Sequence, residues 1–141
     1  MTQQEFTVLL AQNRARAEAI ASALAAAPAE QAEPLVREFL ACKYFLTADE
    51  MDTDDLIRLG DRSTEKLANL QKGGLHYADK NAGCTTAGSS IIKKVLLAMA
   101  LGKAVGRKLD ADAVACAETI PQLSALLLQA REAPQNGARS T

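Results

Sequence analysis

Residues 89–127 read SSIIKKVLLAMALGKAVGRKLDADAVACAETIPQLSALL, and this stretch decides the fold class of the chain. Apolar residues recur in it at helical spacing, and Gly106 marks the end of the first run. Ser90 is a residue type favoured at helix starts, so a helix is predicted between Ser90 and Gly106. The predicted buried side of this helix consists of Ile91, Val95, Met99 and residues 101–104.

The segments before this stretch also have helical spacing. Thr2 and Glu5 form a capping box at the start of a long first helix, which ends before Pro28. Pro34 suits the first turn of a second helix. Two shorter elements are predicted next, a turn that ends at Gly60 and a short helix that begins at Ser63.

Two further helices follow Gly106. Asp110 or Asp112 is predicted to begin a short helix, and Thr119 to begin the last one. No segment alternates polar and apolar residues for long enough to be a strand, so we predict an all-α fold. The predicted parts are an added N-terminal helix over residues 1–27, a helical bundle over 28–132 and a flexible tail over 133–141.

Composition narrows the classes of function. The chain has 141 residues, of which 48% are hydrophobic, and this suits one domain with a modest core. The net charge of −1 gives no reason to expect a nucleic-acid partner. The apolar runs are too short to cross a membrane, and no signal peptide is recognised. The three widely spaced cysteines indicate free thiols in a reducing compartment, so we expect a cytoplasmic protein.

Residues 83–88, GCTTAG, have the glycine spacing of a nucleotide-binding loop. Ser89, however, stands where that motif has lysine, and no predicted strand precedes the loop. The motif has meaning only between a strand and a helix. We therefore do not favour nucleotide binding.

A thiol enzyme is a second candidate, with Cys84 as nucleophile and His76 as base. His76 is the only histidine, so neither a His-Asp arrangement nor a metal-ligand spacing is present. Cys42 and Cys116 lie in apolar helical surroundings and are predicted to be core residues. A chain without catalytic or metal-binding residues is the simpler interpretation.

The last three predicted helices resemble the second, third and fourth helices of acyl carrier proteins, over roughly residues 88–130. That family begins its second helix with Asp-Ser-Leu, where this chain has Ser89-Ser90-Ile91, and continues with an apolar stripe and a Phe-Gly-like end. A short acidic helix and a Thr-Val-x-x-Leu opening then follow. The residues that match these features, in order, are Ser90-Ile91, residues 95–101, Val105-Gly106, residues 110–112 and Thr119-Ile120.

The resemblance implies a carrier-protein-like bundle that tethers an acyl or aminoacyl group as a thioester. A phosphopantetheinyl transferase would attach the 4′-phosphopantetheine arm to an exposed serine, here Ser90. Ser63 is a second candidate, because LIRLGDRSTEKL echoes the family's Leu-Gly-x-Asp-Ser-Leu. It is less favoured because an inserted segment would separate it from the apolar stripe that begins at Val95, and Ser89 is a further, less favoured site. Such a carrier is not an enzyme, and a serine at a helix start would place the phosphate near unpaired N–H groups.

The charge of the partner surface is expected to differ from that in the family, whose acidic second helix docks on basic patches of partner enzymes. The corresponding helix here and the turn after it are basic, through Lys93, Lys94, Lys103 and Arg107. We therefore expect these residues to dock on an acidic surface of a partner enzyme.

An alternative of another class is a helical protein–protein interaction module without a prosthetic group. Such a module would be a degenerate carrier fold or a homodimer, and its first helix would pair with a helix of a partner. Its apolar residues are Phe6, Leu9, Leu10, Ile20 and Leu24.

Overall fold

The computed structural model describes residues 2–72 and 90–132, and most of this backbone is helical. Its helices are α1 (Gln3–Ala26), α2 (Ala29–Tyr44), α3 (Leu56–Lys72), α4 (Ser90–Val105), α5 (Ala111–Cys116) and α6 (Ile120–Glu132). These two segments contain no strand, only an isolated bridge between Asp55 and Thr119. The predicted all-α bundle is confirmed, and the predicted tail over residues 133–141 lies outside the described residues.

The ends of α1 lie where the sequence predicts them. The Glu5 N–H donates to Thr2 Oγ1 at 3.1 Å, and the Thr2 N–H donates to the Glu5 carboxylate at 2.8 Å. This reciprocal capping box satisfies two donors that the first turn leaves unpaired. The helix ends just before Pro28.

The apolar side of α1 is part of the bundle. Ile20 and Leu24 lie in the main core, and α1 packs on α2 and α4. Phe6 forms a smaller cluster with Leu67, and its ring stacks on Phe45 with 6.1 Å between centroids. Phe6, Ile20 and Leu24 are therefore covered within the chain and are not available to a partner helix, whereas Leu9 and Leu10 are half-buried.

α2 is longer than the sequence predicts. It begins at Ala29, so Pro34 lies inside the helix rather than in its first turn. The helix ends at Tyr44, the next residue, Phe45, has a φ of 60°, and the Leu46 N–H donates to the Ala41 oxygen at 2.9 Å. A left-handed residue at this position lets the chain satisfy the last helical carbonyls as it turns.

α3 is one continuous helix, although the sequence predicts a turn ending at Gly60 and a new helix at Ser63. The Asp55 carboxylate accepts hydrogen bonds from the first N–H groups and so caps its start. Gly60 serves packing instead of ending the helix. A Cβ added there would lie 2.6 Å from the Ser90 Cβ, so the glycine permits the close approach of α4.

The last three helices lie in the segments where the sequence predicts them. α4 is followed by Gly106 at a φ of 72°, and the Arg107 N–H donates to the Gly102 oxygen at 2.9 Å. Asp110 caps α5 through the Ala113 N–H at 2.9 Å. Backbone hydrogen bonds also join the starts of α3 and α6. The side chains enclosed between these helices include Leu24, Val36, Leu40, Leu56, Leu59, Leu101, Ile120, Leu123 and Leu127.

Candidate functional site on helix α4

Ser90, the predicted attachment residue, lies in the first turn of α4 and packs against α3. The residue is 8% exposed, and both its Cβ and its Cα lie close to Gly60. The expectation that this serine is exposed is therefore wrong. The first turn of a helix is open to solvent only where no other element covers it, and here α3 covers it.

Ser63, the less favoured attachment site, has no exposed surface. Its hydroxyl donates a hydrogen bond to the backbone oxygen of Tyr44 at 2.8 Å and so ties α3 to the end of α2. Ser89 lies outside the described residues, as do Cys84 and His76, the two residues of the thiol-enzyme hypothesis.

Lys94 is buried, and its ammonium holds the end of α5. Nζ donates to the backbone oxygens of Ala115 at 3.0 Å and Ala117 at 2.8 Å. The last carbonyls of a helix have no partner within the helix, and a cation there also meets the negative end of the helix dipole. These contacts give Lys94 a role in stabilising the fold.

Lys93 is buried as well, at 6% exposure. Its Nζ lies 5.8 Å from the centroid of the Tyr44 ring, within the range of a cation–π contact. Burial lowers the pKa of Lys93 from its ordinary value of 10.5. The prediction that Lys93 and Lys94 form an exposed docking surface is therefore wrong for both residues.

The outward side of α4 is apolar instead. Ile91 is 60% exposed and Met99 is 65% exposed. The apolar face of α4, as we call this surface, consists of Ile91, Ile92, Val95, Leu96 and Met99. Intervals of three and four residues place these side chains on one side of the helix. In the described segments, Val8 is the only other large apolar residue classed as exposed.

A groove of about 670 Å³ continues this face along the C-terminal half of α4. Val95 and Met99 belong to both the face and the groove, whereas Leu109 and Val114 line the groove beside α5. Its volume falls in the range of clefts that bind ligands. The groove therefore extends the apolar face into a concave surface.

Basic residues lie along the same groove, namely Lys103, Arg107 and Lys108. Lys103 is exposed on the last turn of α4, and Arg107 is half-buried. Two of the four predicted docking residues, Lys103 and Arg107, thus lie at this groove. The sequence from residue 90 to 109 contains no Asp or Glu, so the local charge of α4 and its following turn is positive.

The orientation of α4 is the feature that the sequence did not reveal. Ile91, Val95 and Met99 were predicted to be buried, yet they are exposed, while Leu97 and Leu101 face the core. Both sets have the same four-residue spacing, so periodicity does not choose between them. The sequence places Lys93 and Lys94 on the exposed side of α4, but both lysines have partners inside the fold.

Reactive groups are scarce among the described residues. Cys42 is buried, and burial raises the pKa of its thiol, which keeps the thiol protonated and unreactive near neutral pH. Cys116 is exposed, although the sequence predicts a core residue. In residues 2–72 and 90–132, no group of three or more acidic, histidine or cysteine side chains is arranged to hold a metal. Within the same ranges no helix combines the length and apolarity that a membrane span needs.

The most prominent surface feature of the described residues is therefore the apolar face of α4 with the groove beside it. Its chemistry is that of a binding surface with a basic edge. No family model, no curated protein and no solved structure matches this chain.

Proposed function

We propose that this chain is a helical protein–protein interaction module that docks an amphipathic helix of a partner protein on the apolar face of α4. The observation that supports this function most directly is the exposure of neighbouring large side chains, 60% at Ile91 and 65% at Met99. Contiguous apolar patches are uncommon on monomeric soluble proteins, and where they occur they often mark interaction sites.

A helix is the occupant that matches the shape of the surface. The apolar face follows the axis of α4 for about 12 Å from Ile91 to Met99, at 1.5 Å per residue. The groove then continues along the same side toward Gly106. Amphipathic helices bind such surfaces through apolar residues spaced three or four positions apart.

The acyl-carrier function has weaker support from the contacts of its serine. A transferase must reach the hydroxyl that accepts the arm, but Ser90 is 8% exposed and packs against Gly60. Ser63 is fully buried. An interaction module requires neither hydroxyl, so we prefer it to the carrier.

A second copy of this chain is a poorer occupant than a different protein. If two copies of α4 packed in parallel, Lys103, Arg107 and Lys108 of both copies would lie side by side, and an antiparallel pair would leave this basic edge outside the apolar contact. Residues 90–109 contain no acidic side chain to pair with them. Like charges in an interface disfavour association, so the surface suits a partner that supplies acidic residues.

Selection from a displayed library of helical peptides tests the proposal. The full-length chain is the target, and binding of the enriched peptides is measured by fluorescence anisotropy. We expect enriched peptides to lose at least about tenfold in affinity for the Val95→Asp/Met99→Asp variant, because two desolvated carboxylates would oppose docking. Circular dichroism confirms that the variant is folded.

Val8→Asp is the control at an exposed apolar residue outside the proposed surface, since Val8 is 50% exposed and lies on α1. Peptides should bind this variant as they bind the original chain. Failure to enrich any peptide, or equal loss on Val8→Asp and on the α4 variant, would overturn the proposal.

Two further measurements distinguish the competing functions. Sedimentation of the free chain should show a monomer, whereas a dimer that Met99→Asp dissociates would assign the apolar face to self-association. Intact mass after incubation with a phosphopantetheinyl transferase and coenzyme A should be unchanged. A mass gain that Ser90→Ala abolishes would instead support the carrier function.

A further inference from the structure

The apolar face of α4 ends at a cation. Val95, Met99 and Lys103 are spaced four residues apart, so they follow one another along the same side of the helix. Each step advances about 6 Å along the axis. A helix that lies along the apolar face therefore meets Lys103 about one turn after its contact with Met99.

The turn after α4 brings two more basic residues to the same place. Gly106 reverses the chain in a left-handed conformation, and the Arg107 oxygen lies so close to Gly102 that a Cβ there would be 2.4 Å away. This turn places Arg107 and Lys108 along the groove that Met99 and Lys103 also line. The cations are thus held by a compact turn beside an apolar cleft.

Nearby acidic residues offset this charge only partly. Asp110 follows the basic turn, and its carboxylate accepts the Ala113 N–H at 2.9 Å as the cap of α5. Asp112 lies in the first turn of α5, where the positive end of the helix dipole favours it. The basic residues that line the groove are Lys103, Arg107 and Lys108, whereas neither of these two aspartates lines it.

We infer that the partner is an acidic amphipathic helix, whose apolar residues cover Val95 and Met99 and whose Asp or Glu one turn further on pairs with Lys103 and Lys108. This inference rests on the proposed function and adds the charge and orientation of the ligand. Apolar contacts supply most of the affinity, and the partly exposed ion pairs set the register and favour acidic sequences.

The peptides enriched by the selection described above provide the test. Each acidic peptide is compared with versions in which its acidic residues become Gln or Lys, at low and high salt. We expect the original chain to bind the acidic form roughly three- to tenfold more tightly than the Lys form at low salt. High salt should reduce this preference, because it screens exposed charges.

Reversal of the basic edge supplies the second measurement. Lys103→Glu/Lys108→Glu should remove or invert the preference for acidic peptides. Arg16→Glu/Arg58→Glu is the matched control, since both arginines are exposed, the change in net charge is the same and neither residue lines the groove. The control should keep the preference.

The outcomes separate the two proposals. The inference fails if the enriched peptides have no acidic bias, or if the Lys103→Glu/Lys108→Glu variant binds acidic peptides with unchanged preference. The docking function still stands in either case if binding depends on Val95 and Met99. If no enriched peptide depends on Val95 and Met99, the docking function itself fails.

Discussion

α1 and α4 are both regular helices of one bundle, yet the sequence predicts the buried side of only one of them. In α1, Ile20 and Leu24 face the core as their spacing indicates. In α4, Val95 and Met99 have equally regular spacing and face solvent. The comparison shows that spacing identifies a face and that a second signal must decide whether this face is buried.

That second signal is a polar side, and the two helices differ in it. Arg14, Arg16 and Glu18 are exposed on α1 and mark its solvent side clearly. Lys93 and Lys94 are the only charged residues in the first turns of α4, and both are buried. A helix that is apolar on several sides can pack in more than one orientation, so its neighbours decide which side is covered.

The largest expected effect compares the two sides of α4 directly. Leu101 is fully buried, so Leu101→Ala should lower the free energy of unfolding by about 2–5 kcal/mol. Met99 is 65% exposed, and Met99→Ala should change the free energy of unfolding by less than about 0.5 kcal/mol. Urea unfolding monitored by circular dichroism measures both values. Similar losses for the two variants would mean that the apolar face of α4 is covered in solution.

An intermediate effect is expected at Lys94, a lysine that lies at a buried position of α4. Lys94→Met removes two hydrogen bonds and leaves the oxygens of Ala115 and Ala117 without this partner. The expected loss is about 1–3 kcal/mol in the same unfolding experiment. Lys103→Met removes the same charge from an exposed position of α4 and should have little effect. Equal effects of the two substitutions would show that Lys94 does not hold the end of α5.

The smallest effect concerns the pH dependence of stability and the buried Lys93. Burial lowers the pKa of Lys93 in the folded chain below its ordinary value of 10.5. Between these two pKa values the unfolded chain binds more protons, so the free energy of unfolding gains a contribution that rises with pH toward 10.5. At lower pH the ammonium is charged in both states, and its burial opposes folding.

Lys93→Met isolates this contribution. Unfolding is measured across the alkaline range for both chains, and the difference between them should grow in favour of the original chain as the pH approaches 10.5. Burial also raises the pKa of Tyr44, which lowers stability at alkaline pH, but Tyr44 is present in both chains. A difference that does not change with pH would contradict the burial of Lys93.

Local signals predicted most helix ends correctly. Thr2, Asp110 and Gly106 act through hydrogen bonds and backbone angles within a few residues of themselves, so their roles are readable from short stretches. The sequence predicts an element boundary at Gly60 and another at Ser63, whereas α3 continues through both residues. Gly60 makes room for α4, and Ser63 donates a hydrogen bond to the backbone oxygen of Tyr44. Neither contact can be predicted from the neighbouring residues in the sequence.

The candidate site was predictable only in part. The basic character of Lys103 and Arg107 is evident from the sequence, and both residues lie along the groove. The apolar face is not predictable from periodicity alone, which assigns Ile91, Val95 and Met99 to the buried side of α4. The attachment hypothesis depended on an exposed Ser90, and exposure at a helix start depends on what packs against it.

By itself, therefore, the sequence determined an all-α chain and the places where most of its helices begin and end, because those preferences act over a few neighbouring residues. Only the tertiary structure decided which side of α4 faces solvent. α4 contains apolar residues on several sides, and its orientation follows from the close contact at Gly60 and from the carbonyl oxygens at the end of α5 that receive Lys94. These contacts join residues far apart in the chain, and their geometry exists only once the helices have packed.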